Sequence, residues 1–310
     1  MIALEAEAAR AAEALRAGDL VILPTETVYG LAADAASPDA IARIFEAKGR
    51  PRFNPLIAHV TDRAMAERIA PLTPLAARLA EAFWPGPLTL VVPYGGGDTV
   101  CDLARAGLDT VALRAPAHPM AQAVITAFGG LVCAPSANRS GRPSPTTYAD
   151  AMEETGVAAA VALDGGPCTV GLESTVVAVL EDEVRLLRPG GLERTAIEAV
   201  TGTLAAGPDD AHRSPGRLAL HYAPNAPVRL NAEGPAPGEA YLAFGKAPDS
   251  PLVLNLSPLG DLREAAANLF ALLRAADRLN PTAIAVAPIP DHGLGEAIND
   301  RLHRAAGFVG

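Results

Sequence analysis

The chain has 310 residues, of which 50% are hydrophobic; this length allows about two domains, and this apolar content excludes a disordered chain. No apolar run approaches the roughly 18 residues of a membrane span, and the first residues lack the basic segment of a secretory signal, so we expect a cytoplasmic protein without a membrane partner. The net charge is −10, with −8 of it up to Ala205, so the chain lacks the positive field of a non-specific nucleic-acid binder.

The first half of the chain alternates predicted helices and strands. An alanine-rich helix over 5–17 is ended by Gly18, and a helix over 38–48 begins with Ser37 and Pro38 and is ended by Gly49. Apolar runs predict buried strands. The further predicted strands are 20–24, 56–60, 88–92 and 110–114, with a helix at 74–84.

The next part of the chain predicts a helix over 118–128 and strands over 131–134 and 161–164. Residues 174–180 and 184–188 predict a hairpin. The irregular spacing of strands and helices, together with this hairpin, favours a mixed sheet over a purely parallel one. We therefore expect an α/β domain over 1–205.

The remainder of the chain predicts an ordered linker and a smaller domain. Residues 206–237 are rich in proline, glycine and polar residues, as in a linker of restricted flexibility. Residues 238–310 predict strands and helices in the order of a small βαβ unit. The predicted strands are 240–244, 252–256 and 283–287, and the predicted helices are 261–279 and 294–306.

Familiar nucleotide and hydrolase motifs are absent from the sequence. It contains no GxxxxGK[ST], no HExxH and no GxSxG, and its three cysteines form no CxxC pair. The search for chemistry therefore turns to polar residues at the ends of predicted strands, where α/β sheets bind ligands. The first such place is Pro24-Thr25-Glu26-Thr27-Val28-Tyr29-Gly30-Leu31, although an ordinary capped turn would also explain it.

The second place is a basic loop, Lys48-Gly49-Arg50-Pro51-Arg52-Phe53-Asn54-Pro55-Leu56, followed by His59. Three cations within five residues form a local positive site in an acidic chain that has only two lysines. Arginine offers a planar fork for phosphate and lysine a compact charge. The loop suits a polyphosphate; a solvated basic loop and a histidine packed in the core remain the alternative.

The third place is the strand Thr110–Arg114 with the serine-rich segments 134–138 and 140–144. An arginine on an otherwise apolar strand requires an anionic partner, either a carboxylate of the fold or one of a ligand. The fourth place joins Glu173-Ser174-Thr175 to Arg188 at the end of the next strand; polar flanks of a simple hairpin would look the same. Together the four places indicate a phosphorylated ligand.

Six blocks in this order, PTETVYGL, KGRPRFNPL, TVALR, APSANRSG, ESTVV and LLRPG, closely resemble the YrdC-like domain. The later segment SPGRLALHYAP resembles the linker of the longer members, which end in a small Rossmann-like domain. The resemblance therefore implies a YrdC-like twisted mixed sheet with helices, followed by a smaller Rossmann-like α/β domain.

The longer members of this family are L-threonylcarbamoyladenylate synthases. The resemblance implies a nucleotidyltransferase that joins L-threonine, bicarbonate and ATP into threonylcarbamoyl-AMP and pyrophosphate. It also implies Mg²⁺ carried by the ATP phosphates, with no direct protein ligand to the metal. The product would pass to tRNA threonylcarbamoyl-transfer proteins, which modify the adenosine next to the anticodon.

The resemblance also assigns residues. Lys48 and Arg50 correspond to the basic pair expected at the phosphates and are the candidate catalytic residues. L-Threonine would be held by Thr27, His59, Arg114 and Ser174. ATP would be held by Arg50, Asn54, Thr110, Ala134, Ser136, Ser144, Arg188 and Tyr222. Because Tyr222 follows the catalytic blocks, the linker is expected to fold back across the first domain.

A different class of function stays open from the sequence: a double-stranded RNA-binding module without catalysis. The charge of −8 before residue 206 argues against unaided RNA binding and leaves at most a weak RNA contact. Pyrophosphate release that depends on both L-threonine and bicarbonate would separate the enzyme from the binding module.

Overall fold

The computed structural model describes residues 2–51, 53–181, 183–205 and 221–307. Arg52 and residues 206–220 of the predicted linker therefore lie outside the described residues. The helices are α1 (Ile2–Arg16), α2 (Pro38–Lys48), α3 (Arg63–Glu67), α4 (Pro74–Phe83), α5 (Asp102–Arg105), α6 (Pro119–Phe128), α7 (Tyr148–Thr155), α8 (Arg194–Thr201), α9 (Leu262–Arg278) and α10 (Leu294–Ala305).

The strands form two sheets. Those of the first are β1 (Leu20–Leu23), β2 (Gly30–Asp34), β3 (Ile57–His59), β4 (Leu88–Pro93), β5 (Thr110–Arg114), β6 (Val132–Cys133), β7 (Ala159–Ala162), β8 (Thr175–Leu180) and β9 (Glu183–Arg188). Those of the second are β10 (Val228–Arg229), β11 (Ala240–Phe244), β12 (Val253–Ser257) and β13 (Ile284–Val286).

The first sheet is mixed, as expected, with nine strands in the order β7-β1-β2-β6-β3-β5-β4-β8-β9. The sheet contains parallel pairs such as β3 with β5 and antiparallel pairs such as β8 with β9. Its main core is a cluster of buried apolar side chains that runs from Ala8 to Leu204, and a smaller cluster includes Val91, Ala112 and Val176. This part of the chain therefore has a core of its own.

The second sheet is parallel, with four strands in the order β10-β13-β11-β12, and α9 and α10 accompany it. Its first strand, Val228–Arg229, lies within the range predicted as linker, so the sheet begins about ten residues before the predicted start at 238. The strand is two residues long and directly follows Pro227, and a pattern this short gives no strand signal.

Local sequence explains how α2 presents the basic loop. The Ser37 hydroxyl accepts a hydrogen bond from the backbone N–H of Ala40 at 3.2 Å, and Pro38 occupies the first turn. Gly49 ends the helix in the left-handed conformation, with φ of +57°, which lets the chain turn sharply after Lys48. Arg50 and Asn54 follow directly in the loop.

The two domains pack closely. Val28 and Leu172 of the first domain share a buried apolar cluster with Phe270 of α9. At Gly171 the backbones themselves approach: a Cβ atom placed there would lie 2.4 Å from the Cα atom of Ala267 on α9. Buried ion pairs also cross the interface, including Arg274 of α9 with Glu154 of α7.

Candidate active site

A cavity lies where the ends of first-sheet strands meet His221 and Tyr222. Predicted site residues that line it are Thr27, Arg50, His59, Arg114, Ala134, Ser136, Ser174, Arg188 and Tyr222. The other lining residues are Val28, Pro55, Leu56, Ile57, Pro135, Glu173 and His221.

The register of the first sheet brings these residues together. His59 on β3 is paired with Arg114 on β5 and with Val132 on β6. Ala134 and Ser136 follow β6 directly, so they meet the same wall. The sheet thereby gathers, at one place, residues that are more than 70 positions apart in the chain.

Arg114 is 4% exposed; it lines the cavity and is also hydrogen-bonded to neighbouring residues of the first domain. Its Nη1 donates to the Thr27 hydroxyl at 2.8 Å, and its Nη2 donates to Glu26 Oε1 at 2.7 Å. Glu26 is thus the carboxylate of the fold that a buried arginine requires. Burial raises the pKa of Glu26, but the charge of Arg114 outweighs it and holds that pKa below its usual range.

His59 lies beside Arg114 and is neutral at neutral pH. Burial, reinforced by the charge of Arg114, lowers the pKa of His59 to about 3. Its Nδ1 lies 3.3 Å from the carbonyl oxygen of Val132. In the neutral ring that bond requires the proton on Nδ1, which leaves Nε2 as an acceptor.

Arg50 and Arg188 give the cavity a positive wall. Arg50 Nη2 donates to the carbonyl oxygen of Pro55 at 3.1 Å, and Arg188 Nη2 donates to that of Ser174 at 2.7 Å. Burial lowers the pKa of both groups, to about 10 for Arg50, and each still carries its charge at neutral pH. With Arg114 they place three guanidinium groups around one cavity, which favours an anionic ligand.

Four predicted site residues do not line the cavity. Lys48 is 3% exposed, and its Nζ donates to the carbonyl oxygens of Ser136 and Asn138. Burial and the neighbouring Arg50 hold the pKa of Lys48 well below its ordinary value. The others are Asn54, whose carbonyl oxygen accepts from Arg50 Nε at 3.4 Å, Thr110, which pairs with Pro93, and Ser144, whose hydroxyl donates to Glu173.

Two lining residues with chemistry of their own, Glu173 and His221, received no role from the sequence. Burial lowers the pKa of His221 to about 3, and its ring meets the Tyr222 ring edge-on at 4.0 Å. The sequence signal for each was its position beside a residue with an assigned role: Glu173 precedes Ser174, and His221 precedes Tyr222. Their contacts depend on how the second domain docks, which no local pattern reports.

Comparison with known families covers nearly the whole chain. Residues 13–190 match the family model described as "Telomere recombination". Residues 192–307 match the one described as "Threonylcarbamoyl-AMP synthase, C-terminal domain". The boundary between the two models falls directly after β9.

Individual relatives agree with these models. A Bacillus subtilis protein named threonylcarbamoyl-AMP synthase is 39% identical over 321 residues, covering 96% of this chain and 92% of the relative. The crystal structure of Pyrococcus abyssi Sua5 complexed with L-threonine superposes with a TM-score of 0.90 at 39% identity, covering 98% of this chain and 95% of that one. Escherichia coli YciO shares the fold of the first domain, with a TM-score of 0.53, 19% identity and coverage of 60% and 90%. The RNA-binding alternative finds no support among these similarities.

Proposed function

The chain belongs to the YrdC-like family in its two-domain form, the threonylcarbamoyl-AMP synthases, and on that premise we propose that it joins L-threonine, bicarbonate and ATP into threonylcarbamoyl-AMP and pyrophosphate. The proposal rests on one observation: the cavity is lined by three guanidinium groups, those of Arg50, Arg114 and Arg188. Such a cavity suits a substrate pair that carries a carboxylate and a polyphosphate.

The two substrates would occupy different walls. We assign the L-threonine carboxylate to Arg114, beside Thr27, His59 and Ser174, because Arg114 lines the cavity and each of its Nη atoms has a second N–H besides the one donated to Thr27 or Glu26. ATP would lie along Arg50, Ala134, Ser136, Arg188 and Tyr222. Asn54, Thr110 and Ser144 would support this wall from outside the lining.

The reaction has two steps whose atoms balance. The threonine amine attacks the carbon of bicarbonate and water is lost, which gives a carbamate. A carbamate oxygen then attacks the α-phosphorus of ATP, the bond to the β-phosphate oxygen breaks, and pyrophosphate leaves. Because carbamates decompose in water, a cavity walled by His221 and Tyr222 favours the second step by excluding solvent.

Positioning and charge would supply most of the rate. Arg50 and Arg188 would counter the charge on the leaving phosphates. The neutral His59 can accept a hydrogen bond through Nε2 from the substrate. Lys48 would act near the phosphates, and its present contacts hold the Ser136 loop in place beside them.

Mg²⁺ would enter with the ATP phosphates. The described residues contain no cluster of three or more metal-binding side chains, and Glu173, the carboxylate in the cavity lining, is engaged by Ser144 and Arg301. Mg²⁺ commonly keeps waters and binds substrate phosphates, a mode that needs no dedicated protein cage. When bound there it would neutralise phosphate charge.

We propose a cytoplasmic location and transfer of the product to tRNA threonylcarbamoyl-transfer proteins. Within the described ranges, no helix has the length and apolarity needed to cross a membrane. Cys101, Cys133 and Cys168 are unpaired thiols, which suits a reducing compartment.

The test is pyrophosphate release by the purified full chain. Release should require ATP, Mg²⁺, L-threonine and bicarbonate together, and threonylcarbamoyl-AMP should appear in equal amount by chromatography and mass spectrometry. Pyrophosphate release that continued without L-threonine or bicarbonate would contradict the proposal, as would its absence with all four present.

A further inference from the structure

Arg301, on α10 of the second domain, has the largest of the fully buried side chains in the described part of the molecule, with 1% exposed. A guanidinium group removed from water in this way requires anionic partners that compensate its desolvation. The partners found here connect α10 to the wall of the active-site cavity, although Arg301 is not itself part of the lining.

One partner is Glu173. Arg301 Nε donates to Glu173 Oε2 at 3.0 Å, and Arg301 Nη1 donates to Asp300 Oδ2 at 2.6 Å. The other oxygen of Glu173 accepts from the Ser144 hydroxyl, so the carboxylate is held from both domains. Glu173 lines the cavity and precedes Ser174 directly.

Arg301 also contacts the ring of Tyr222, whose centroid lies 5.4 Å from the guanidinium carbon. The Phe270 ring lies 5.4 Å from the Tyr222 ring, centroid to centroid. The backbone of Tyr222 is left-handed, with φ of +62°, a conformation that a non-glycine residue keeps only when its surroundings hold it. Arg301 and Phe270 of the second domain are part of those surroundings, together with the backbone hydrogen bonds that His221 and Ala223 donate to the carbonyl oxygens of Arg304 and Gly141.

We propose that Arg301 is a positioning residue for threonylcarbamoyl-AMP synthesis: it fixes the Glu173 carboxylate and the Tyr222 ring in the cavity wall, so that the second domain completes the site. This inference rests on the activity stated above. The alternative is an ion pair that only fastens the two domains together. The two alternatives can be separated by comparing catalysis in an Arg301 variant with catalysis in a variant of another buried arginine at the same interface.

Arg274 provides that matched variant. It is also an almost fully buried arginine of the second domain, and it donates to Glu154 Oε1 at 3.0 Å and to the carbonyl oxygen of Pro143. Neither Glu154 nor Pro143 lines the cavity. Arg301→Met and Arg274→Met therefore remove the same kind of buried interface charge, but only the first removes a contact with lining residues.

The experiment measures kcat and KM for ATP and for L-threonine in the full chain, at a temperature where near-ultraviolet circular dichroism shows each variant folded. Arg301→Met should lower kcat/KM for ATP at least tenfold beyond Arg274→Met. Glu173→Gln should lower it too, and the double variant Arg301→Met/Glu173→Gln should lose less than the product of the single losses. Equal losses in the two arginine variants, or losses that multiply fully, would overturn the inference.

The pH dependence of kcat/KM also separates the two alternatives, because it would not change if Arg301 only held the domains together. Burial raises the pKa of Glu173, and the charges of Arg301 and Arg188 outweigh it and hold that pKa below its usual range. The charged and titratable groups around Glu173 are Arg301 and Asp300 on α10, Arg188 on β9, Lys48 on α2, and His221 and Tyr222 before β10.

In Arg301→Met the acid limb of kcat/KM should therefore move to higher pH by about one unit or more. Arg301→Lys, which keeps a charge, should return the limb towards its wild-type position while restoring the rate in part. An acid limb that stays in place in Arg301→Met would contradict the inference. Absence of activity in the unmodified chain would instead refute the proposed function, so the two failures are distinguishable.

Discussion

Lys48 and Arg50 leave the end of the same helix and meet different partners. Arg50 faces the cavity, whereas Lys48 Nζ holds the carbonyl oxygens of Ser136 and Asn138. The sequence predicted both as a phosphate-facing pair. Arg50 is therefore the candidate for direct contact with the phosphates, whereas Lys48 supports the same cavity wall through the carbonyl oxygens that it binds.

Arg50→Ala should lower kcat/KM about a hundredfold or more, because removal of one charged transition-state contact costs about 3–4 kcal/mol. Lys48→Ala should also lower kcat/KM, because the Ser136 segment of the cavity wall loses the ammonium group that holds it. Lys48→Ala should also destabilise the fold, since each buried carbonyl left without a donor costs about 1–3 kcal/mol. The measurements are pyrophosphate release and urea unfolding.

Lys246, the other lysine of the chain, is exposed on the second domain and serves as the control; Lys246→Ala should change neither quantity. Near wild-type turnover in Arg50→Ala or in Lys48→Ala would remove the role assigned to that residue.

Substrate choice should also be decided by individual residues. A small pocket near Thr27 and His59 would receive the threonine methyl group, so L-threonine should be preferred to L-serine. One methyl group in an apolar pocket is worth about 1–3 kcal/mol, so the preference should be partial. The check is the ratio of kcat/KM for the two amino acids; a ratio of one would show that the methyl group binds elsewhere.

At the scale of elements, α7 acts as a bridge between the domains. Its Glu154 side chain is 1% exposed and pairs with Arg274 of α9, while its Asp150 pairs with Arg278. Burial raises the pKa of Glu154, but the backbone N–H of Arg139 and the Arg274 side chain outweigh it and hold that pKa below the ordinary value of 4.5.

The sign of the pH dependence follows from this lowered pKa. The stabilisation by Glu154 is fully present above about pH 4.5, its ordinary value, and is lost as the pH falls through the lowered value of the folded state. Glu154→Gln should lower the free energy of unfolding at pH 7 by about 3–5 kcal/mol, since it leaves Arg274 without its anion. Its unfolding free energy should then fall less between pH 5 and pH 3 than that of the wild type. Urea unfolding at several pH values measures both effects, and parallel curves for the two proteins would contradict the assignment.

Elements with clear local signals were predicted from the sequence. Helix α2 and strand β5 have the predicted bounds, because caps mark the helix and an apolar run the strand. The strand β2 was not predicted, since Gly30–Asp34 contains no β-branched residue and follows a polar turn. The helix α7 was also missed, although Thr147 gave a signal for its start: its side chain caps the helix by accepting a hydrogen bond from the backbone N–H of Asp150.

The site residues likewise fall into those that could be assigned from the sequence and those that could not. Polar residues at strand ends of one domain, such as Arg114 and Arg188, could be found from pattern and resemblance. Glu173 and His221 could not be given a role, because their partners lie across a domain interface that only packing of the whole chain creates.

At the scale of the whole molecule, the second domain should be required for activity and dispensable for folding of the first. A chain ended after Ala205 keeps the nine-stranded sheet and the apolar cluster that runs from Ala8 to Leu204. It loses His221 and Tyr222 from the cavity wall, and Glu173 loses Arg301.

We therefore expect the truncated chain to show a cooperative thermal transition and the circular dichroism of an α/β protein, but less than a tenth of the full activity. Pyrophosphate release at saturating substrate checks the second point. Full activity in the truncated chain would leave the second domain without a catalytic role.

The contact at Gly171 limits how these two domains can change over time. Because a single methyl group there would press into the backbone of α9, the contact has no clearance, and side-chain movement cannot absorb even an alanine at Gly171. Gly171 and the facing backbone of α9 can therefore change only together. A chimera that combined the first half of this chain with the second half of a relative would fail or succeed on a few tenths of an ångström of backbone, however similar the two sequences were.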